Sequence, residues 1–366
     1  MKDNKEPELD GTGAFGPPPI KGRGAACNPP NRFESIAYTP DAEGDPESAP
    51  KPDTQYLTDR SKSVISYNKS PDVPFEASLN PYRGCEHGCI YCYARPTHEY
   101  LGFSSGLDFE TRIMVKEDAP ALLRKELASP RWTPKEVAIA GVTDAYQPIE
   151  RRLELTRQCL EVLLDFRNPV GIVTKNRLIT RDIDLLSELA GFNAASVYIS
   201  VTSLDPGLCR ALEPRTSLPA QRLETIARLR EAGVPVGVLV APVIPALTDE
   251  FMLNILQAAR DAGAQFAGYV VLRLPHGVKE LFETWLHQHF PDRAEKVLNR
   301  IRSMRGGALD NCEFGARMCG EGPYAEEISA LFHLGCRRAG LVLEGPALST
   351  ASFRRRAADG QLMLFD

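Results

Sequence analysis

The most informative segment of the chain is NPYRGCEHGCIYCYA, residues 80–94, because it carries three closely spaced cysteines. Cys85, Cys89 and Cys92 stand at spacing C-x3-C-x2-C, and a compact loop with this spacing can turn three thiolates toward one point. Three thiolates leave a four-iron cluster one ligand short, so the fourth iron can bind a small molecule instead of a side chain. The motif therefore predicts an iron–sulfur loop with an open coordination position.

A structural zinc site is the alternative interpretation of these cysteines. His87 or His98 could supply the fourth ligand that zinc requires. The spacing differs from the paired C-x2-C pattern usual for zinc, which favours the iron–sulfur cluster. Disulfides are not expected, since the thiols are crowded, the nine cysteines are an odd number, and the N-terminus reads as lacking a signal peptide.

The cysteine loop resembles that of the radical S-adenosylmethionine (SAM) superfamily, in which an aromatic residue, here Tyr91, precedes the third cysteine. Residues 80–85 and 91–93 resemble the branch that contains spore photoproduct lyase, a radical DNA-repair lyase, and residues 78–116 are similar to an uncharacterised bacterial group within it. Similarity covers about residues 60–345. The resemblance implies a [4Fe–4S] cluster whose open iron chelates SAM, reductive cleavage of SAM to a 5′-deoxyadenosyl radical, and an electron donor such as flavodoxin or ferredoxin.

Composition predicts a soluble globular protein in the cytoplasm. Of the 366 residues 43% are hydrophobic and 25% are charged, which is ordinary for a globular chain. No apolar run reaches the roughly 18–20 residues that a membrane span needs. The net charge of −5 does not indicate a nucleic-acid binder, although residues 1–60 account for most of it and the rest of the chain is nearly neutral.

The chain divides into four segments. Residues 1–60 contain ten prolines and few periodic apolar residues, which predicts a mostly disordered arm, although residues 22–24 and 31–34 could lie across the folded body. Residues 61–276 alternate strand and helix, residues 277–349 predict a helical C-terminal extension, and residues 350–366 a flexible basic tail.

The middle segment predicts an α/β fold. Six apolar strands joined by helices imply parallel pairing with both sheet faces covered. Right-handed crossovers would curl six such units into a partial (β/α)6 barrel of the TIM type, as the resemblance also implies. The predicted strands are 77–80, 137–141, 170–174, 196–201, 234–240 and 266–272, and the helix after the second strand is predicted at 151–166.

Residues that follow the strands are the candidates for SAM binding, because functional side chains of a parallel barrel lie at the carboxyl ends of its strands. Gly141, Thr143 and Asp144 stand where the family has a Gly-Gly-Glu-like edge that contacts the SAM amino group. Asp144 could accept from that ammonium group or cap the following helix. Lys175 could pair with the SAM carboxylate or with a substrate phosphate.

Later strand ends supply the remaining candidates. Ser200 and Thr202 could hydrogen-bond a ribose or be ordinary strand residues. Arg215 resembles the family arginine that reaches the SAM carboxylate, and its planar guanidinium suits a carboxylate. Pro242 lies in a segment that packs against adenine in the family. Together with the cysteine-loop tyrosine, the predicted cofactor-binding set is Tyr91, Gly141, Thr143, Asp144, Lys175, Ser200, Thr202, Arg215 and Pro242.

Tyr93 is the candidate catalytic residue. The resemblance implies that a tyrosine directly after the third cysteine relays a hydrogen atom that regenerates SAM. That branch also uses a downstream hydrogen-donating cysteine. The next cysteine here is Cys159, inside the predicted 151–166 helix, which is a poor place for a donor.

The C-terminal part carries two further patterns. Cys312, Cys319 and Cys336 could hold a second cluster, but their spacing matches no tight ligand loop, which favours free or buried thiols. The last residues read GQLMLFD, and Gln361, Leu362, Leu364 and Phe365 resemble the peptide by which bacterial repair and replication proteins bind the DNA sliding clamp.

The sequence thus predicts a radical SAM enzyme that acts on DNA in a reaction like lesion repair. One alternative keeps the radical chemistry and places it on RNA, a protein or a small molecule. A second alternative is a non-enzymatic, clamp-tethered module that binds a metal.

Overall fold

The computed structural model describes residues 16–34, 53–139 and 141–355. The strands within these residues are β1 (Gln55–Thr58), β2 (Ile65–Tyr67), β3 (Ala77–Leu79), β4 (Tyr82–Arg83), β5 (Arg112–Val115), β6 (Val137–Ile139), β7 (Val170–Thr174), β8 (Ala195–Ser200), β9 (Val236–Val243) and β10 (Phe266–Val271).

Helices separate the strands and form the C-terminal part. The α-helices of the described residues are α1 (Leu107–Thr111), α2 (Ala119–Ala128), α3 (Glu150–Leu153), α4 (Leu155–Phe166), α5 (Ile183–Gly191), α6 (Pro206–Leu212), α7 (Pro219–Glu231), α8 (Met252–Asp261), α9 (Val278–His289), α10 (Pro291–Ser303), α11 (Ala316–Cys319) and α12 (Pro323–Ala339). Short 3-10 helices cover Arg95–Leu101, Arg177–Asp182 and Asp249–Phe251.

The main sheet has the strand order β10-β9-β8-β7-β6-β3-β2. Its six strands from β3 to β10 are parallel and neighbour one another in chain order, while β2 joins the edge antiparallel to β3. β3 and β6 are buried along their whole length, as expected for parallel strands covered by helices on their outer face. The six predicted strands and the partial barrel are confirmed.

The predicted helix at 151–166 is two helices. Glu154 has a left-handed backbone with φ 53°, and its N–H donates to the Glu150 carbonyl, which ends α3. The Glu150 carboxylate then accepts the N–H of Thr156 at 3.0 Å in the first turn of α4. The break arises because this buried carboxylate takes a backbone donor at the start of α4.

A second sheet, which the sequence analysis missed, supports the cysteine loop. β5 pairs with β1 in parallel and with β4 antiparallel. Because β4 ends at Arg83, the cysteine loop begins at the edge of this sheet. β1 and residues 16–34 belong to the segment predicted as an arm, and residues 23–25 lie across the body against Glu110.

The C-terminal helices pack beside the barrel. α12 packs on α8, and residue 342 forms a parallel bridge with Phe266 at the β10 edge. In the predicted basic tail, the Arg354 N–H donates to the Phe166 carbonyl at 2.9 Å and the Arg355 guanidinium donates to the Trp132 carbonyl at 3.2 Å. The predicted clamp residues Gln361, Leu362, Leu364 and Phe365 lie outside the described residues.

None of the described helices is both long enough and apolar enough to cross a membrane.

Candidate iron–sulfur and SAM site

The cysteine loop is fastened to its surroundings through its backbone. The Cys85 N–H donates to the Phe109 carbonyl at 2.8 Å, and the Ile90 N–H donates to the Leu212 carbonyl at 3.1 Å. Gly88 has φ 65° and lies so close to Gly24 that a Cβ on Gly24 would stand 1.8 Å from the Gly88 carbonyl oxygen. The loop therefore has one fixed path between α6, the end of α1 and the N-terminal segment.

A fully buried ion pair lies beneath this loop. Arg95 donates its Nε–H to the Cys89 carbonyl at 3.0 Å and pairs through Nη2 with Glu110 at 2.5 Å. Glu110 also accepts the N–H of Gly24 at 3.0 Å and of Ala25 at 2.8 Å. The carboxylate thus ties the cysteine loop to residues 23–25, which the sequence placed in the arm.

The three cysteines of the loop are reduced and shielded from solvent. Cys85 and Cys89 are buried, Cys92 is partly buried, and none of them forms a disulfide. Burial raises the pKa of Cys89 and raises that of Cys92 to about 11, so both are neutral thiols unless a metal displaces their protons. Three protected thiols on a fixed loop fit the ligand set of an iron–sulfur cluster.

The histidines of the zinc alternative have protein partners. His87 contacts Asp144 at 3.4 Å and Asn176 at 3.2 Å and also hydrogen-bonds Cys85, and His98 Nε2 lies 2.9 Å from the Arg112 carbonyl. Among the described residues, no three His, Cys, Asp or Glu side chains are arranged as ligands of one metal ion.

A buried carboxylate, Glu213, is the centre of the polar contacts beside the loop. It accepts hydrogen bonds from Tyr91 and, at 2.6 Å, from Thr202. It also pairs with Arg222, and with Lys175 at 3.0 Å. Burial alone would raise the pKa of Glu213, but Arg222 and Lys175 hold it well below its usual value. Glu213 is therefore a carboxylate that fixes the position of Lys175.

The Lys175 ammonium group lies among the carboxyl ends of β7, β8 and β9. It donates to Ser200 Oγ at 2.8 Å, to Thr202 Oγ1 at 3.2 Å and to the Ala241 carbonyl at 2.8 Å. Three of the predicted cofactor-binding side chains therefore form one hydrogen-bonded group.

Asp144 is the second polar centre. It accepts from Thr174 Oγ1 at 2.7 Å, from the Lys175 N–H at 2.8 Å and from the Tyr146 N–H at 2.9 Å. Burial alone would lower the pKa of His87, but Asp144 beside it contributes to raising that pKa to about 10, and the pKa of Asp144 is itself lowered. The carboxylate therefore joins β6, β7 and the cysteine loop through protein donors.

Tyr93 is half exposed at the mouth of the barrel. Its hydroxyl donates to the Gly141 carbonyl at 2.6 Å, and the Arg273 guanidinium lies 5.1 Å from its ring centroid. Thr143 points inward instead, where its hydroxyl lies 3.5 Å from Asn80. Tyr93 and Gly141 are thus together at the mouth, whereas Thr143 is buried below it.

Arg215 lies apart from the Lys175 group, whereas Pro242 adjoins it. The Arg215 guanidinium donates to Glu86 at 3.2 Å, and Glu86 also accepts from Tyr56 at 3.1 Å. Pro242 follows Ala241, whose carbonyl accepts from Lys175, and the Pro242 carbonyl lies 3.4 Å from Thr248 Oγ1.

The chain is similar in sequence to known proteins. A family model for the Radical SAM superfamily matches residues 79–259. An uncharacterized protein of Mycobacterium tuberculosis is 40% identical over 242 residues, which is 65% of this chain and 70% of the relative. The chain belongs to the radical SAM superfamily. An uncharacterized protein of Methanocaldococcus jannaschii is 26% identical over 247 residues, 67% of this chain and 88% of the relative.

Solved radical SAM enzymes show the same fold. Spore photoproduct lyase complexed with dinucleoside spore photoproduct superposes with a TM-score of 0.56 at 17% identity, over 79% of this chain and 81% of that one. A mutant of that lyase with bound AdoMet and the same lesion gives a TM-score of 0.55 over 79% and 80%. At this identity the likeness establishes the fold alone. As a radical SAM enzyme, the protein uses a [4Fe–4S] cluster and SAM.

Sequence reasoning missed two residues of this site, Glu213 and Arg222. Arg222 is fully buried on α7, where it donates to the Ser200 carbonyl at 2.9 Å as well as to Glu213. The available signal was that Arg222 stands at helical spacing from Ile226 and Leu229, and an arginine on an apolar helix face requires a buried acidic partner. Nothing in the sequence indicated that Glu110 and Arg95 form an ion pair, because their contact depends on how the chain folds around the second sheet.

Proposed function

We propose that this radical SAM enzyme holds its [4Fe–4S] cluster through Cys85, Cys89 and Cys92 and acts on DNA. The observation that carries the proposal is the set of three reduced, shielded thiols on one loop, next to the polar group around Lys175 and Glu213. The bound cluster and SAM supply one-electron cleavage of SAM and a 5′-deoxyadenosyl radical. An external reductant, such as flavodoxin or ferredoxin, supplies the electron.

The residues of the chain orient SAM. Lys175 presents an ammonium group whose direction is fixed by Glu213, so it provides positive charge for the SAM carboxylate. Ser200 donates to the Ala241 carbonyl and Thr202 to Glu213, and their oxygens can still accept from a ribose hydroxyl. Gly141, Asp144, Arg215 and Pro242 complete the proposed surface for SAM, with Tyr91 behind it.

Tyr93 is proposed as the hydrogen-atom relay at the mouth. Its phenol is half exposed and is aimed by the Gly141 carbonyl, so it can approach both SAM and a substrate. Cys159 does not suit the role of a second donor, because it is fully buried on α4 within the core. The proposed relay therefore does not include Cys159.

Support for DNA as the substrate comes from two sources. Spore photoproduct lyase, which shares the fold, is known in complex with dinucleoside spore photoproduct. The C-terminal residues 361–365 resemble a sliding-clamp peptide. The alternatives of RNA, a protein or a small molecule are distinguished by incubating each deuterated candidate with the reduced enzyme and measuring deuterium in 5′-deoxyadenosine.

The cluster assignment is tested by anaerobic reconstitution. We expect about four irons per chain, a brown protein, and release of 5′-deoxyadenosine with dithionite and SAM. Cys89→Ala should lose iron and product together, and Cys312→Ser, a change at an exposed cysteine of the C-terminal part, is the matched control and should retain both. Full iron content and cleavage in Cys89→Ala would contradict the assignment.

Clamp binding is tested by pull-down of the full chain and of a chain that ends at residue 360. Capture of the full chain alone supports the proposal, and equal capture of both chains counts against it.

A further inference from the structure

A concave site lies on the outer helices of the barrel, apart from the Lys175 group. Its walls come from the start of α3, the 3-10 helix Arg177–Asp182 and one face of α7. It encloses about 350 Å³, which is enough for a small charged group with part of its carrier.

The walls of this site are strongly basic. Arg151, Arg177, Arg181 and Arg228 line it, and Glu224 is its one carboxylate among the described lining residues. One of the four guanidinium groups, that of Arg181, is paired with carboxylates of the protein. Arg181 pairs with Glu150 at 2.7 Å and also with Asp182.

The other arginines hold uncompensated charge. Arg228 donates to the neutral acceptor Thr180 Oγ1 at 3.0 Å, and it forms no ion pair within residues 16–34, 53–139 and 141–355. Arg151 and Arg177 are exposed and form no ion pair with any described residue. Such a group of like charges around a hollow repels itself unless an anion binds between them.

We propose that this hollow binds a phosphate group of a nucleic-acid strand. Guanidinium groups match the geometry of phosphate oxygens and form paired, charge-assisted hydrogen bonds with them. The side chains of Thr180 and Gln221, which also line the hollow, add neutral hydrogen-bonding groups of the kind that contact phosphates. The identification of the strand as the substrate rests on the proposed function, whereas the phosphate site rests on the arginines alone.

The hollow adjoins the cysteine loop through a short hydrogen-bonded chain. The Arg177 N–H donates to Ser217 Oγ at 2.8 Å, and Ser217 Oγ donates to Asn176 Oδ1 at 3.3 Å. The Asn176 amide nitrogen lies 3.2 Å from Nε2 of His87. In the sequence, His87 stands between Cys85 and Cys89. These contacts connect the segment that carries Arg177 to the segment that carries the cysteine loop.

The test measures binding of a fluorescein-labelled single-stranded oligonucleotide to the reconstituted full chain without dithionite, by anisotropy over a range of salt concentrations. Arg177→Gln and Arg151→Gln should each weaken binding about tenfold and reduce the slope of log K against log salt by about one. Arg260→Gln, an exposed change on α8 with the same loss of charge, is the control and should leave both unchanged.

Titration calorimetry with inorganic phosphate and with a nucleoside diphosphate identifies the source of the group. Loss of phosphate binding in Arg177→Gln with unchanged oligonucleotide affinity would support a phosphate site but overturn the strand as its occupant. Unchanged binding of every probe in both variants would overturn the proposal altogether. Because no reductant is present, this failure is distinct from failure of SAM cleavage, which the 5′-deoxyadenosine assay reports separately.

Discussion

The ion pair between Arg95 and Glu110 offers the sharpest test of how the cysteine loop is held. Both side chains are fully buried, and Glu110 accepts from Arg95 and from the N–H groups of Gly24 and Ala25. Glu110→Ala leaves the Arg95 charge and two backbone donors without their acceptor. Breaking a buried pair from one side costs about 3–5 kcal/mol, so we expect a loss of that size in the free energy of unfolding.

The assay is urea unfolding of the cluster-free protein under reducing, anaerobic conditions, followed by far-UV circular dichroism. Glu76→Ala is the matched control, because Glu76 pairs with Lys135 on the surface, and it should change the stability little since exposed pairs contribute little. The double variant Arg95→Met with Glu110→Ala removes both charges and should be more stable than Glu110→Ala alone.

The variant Glu110→Ala also tests how the cysteine loop is held. Arg95 donates to the Cys89 carbonyl at 3.0 Å. If Arg95 reorients after the loss of Glu110, the position of Cys89 changes, and we expect less iron to be retained after reconstitution. A loss below about 1 kcal/mol in Glu110→Ala would refute the reasoning, since it would mean that water or another group satisfies Arg95 readily.

The remaining predictions concern the site. In the cluster-free protein, Glu213→Gln should make the free energy of unfolding depend less on pH in the acid range. Because the pKa of Glu213 is lowered in the folded state, its carboxylate stabilises the fold at pH values above about 4.3, the pKa of Glu in the unfolded chain. This stabilisation is lost as the pH falls through the folded-state pKa. An unchanged dependence of stability on pH in the acid range would contradict the prediction. Tyr93→Phe should keep full iron but accumulate more 5′-deoxyadenosine per product, measured by chromatography; an unchanged ratio would exclude the relay. Cys312→Ser combined with Cys319→Ser should leave iron at about four per chain, and a fall would indicate a second cluster.

The barrel could be predicted from the sequence because its strands are short apolar runs between amphipathic helices. Residues 170–174 and 266–272 were located to within one residue at each end. The break at Glu154 could not be predicted, because it depends on the carboxylate of Glu150 accepting the Thr156 N–H. Local pattern identifies helix-forming residues but does not show which buried acid takes their backbone donors.

The second sheet and the N-terminal contacts were missed for a different reason. β1 is exposed along most of its length, so it lacks the apolar alternation that marks a strand. Residues 24 and 25 are held by hydrogen bonds to Glu110, and a hydrogen bond across 85 residues leaves no local trace in the sequence. Of the site, the three cysteines were predicted from their spacing and the Lys175 group from the strand ends, whereas Glu213 became evident only from its contacts.

The anchoring of Arg354 and Arg355 on backbone carbonyls sets the length of any tether at the C-terminus. Five residues, 356–360, separate that anchor from Gln361. Five residues span at most about 18 Å when fully extended. Under the proposal that residues 361–365 bind the sliding clamp, the clamp would lie within about 18 Å of Arg355, which is anchored on the Trp132 carbonyl.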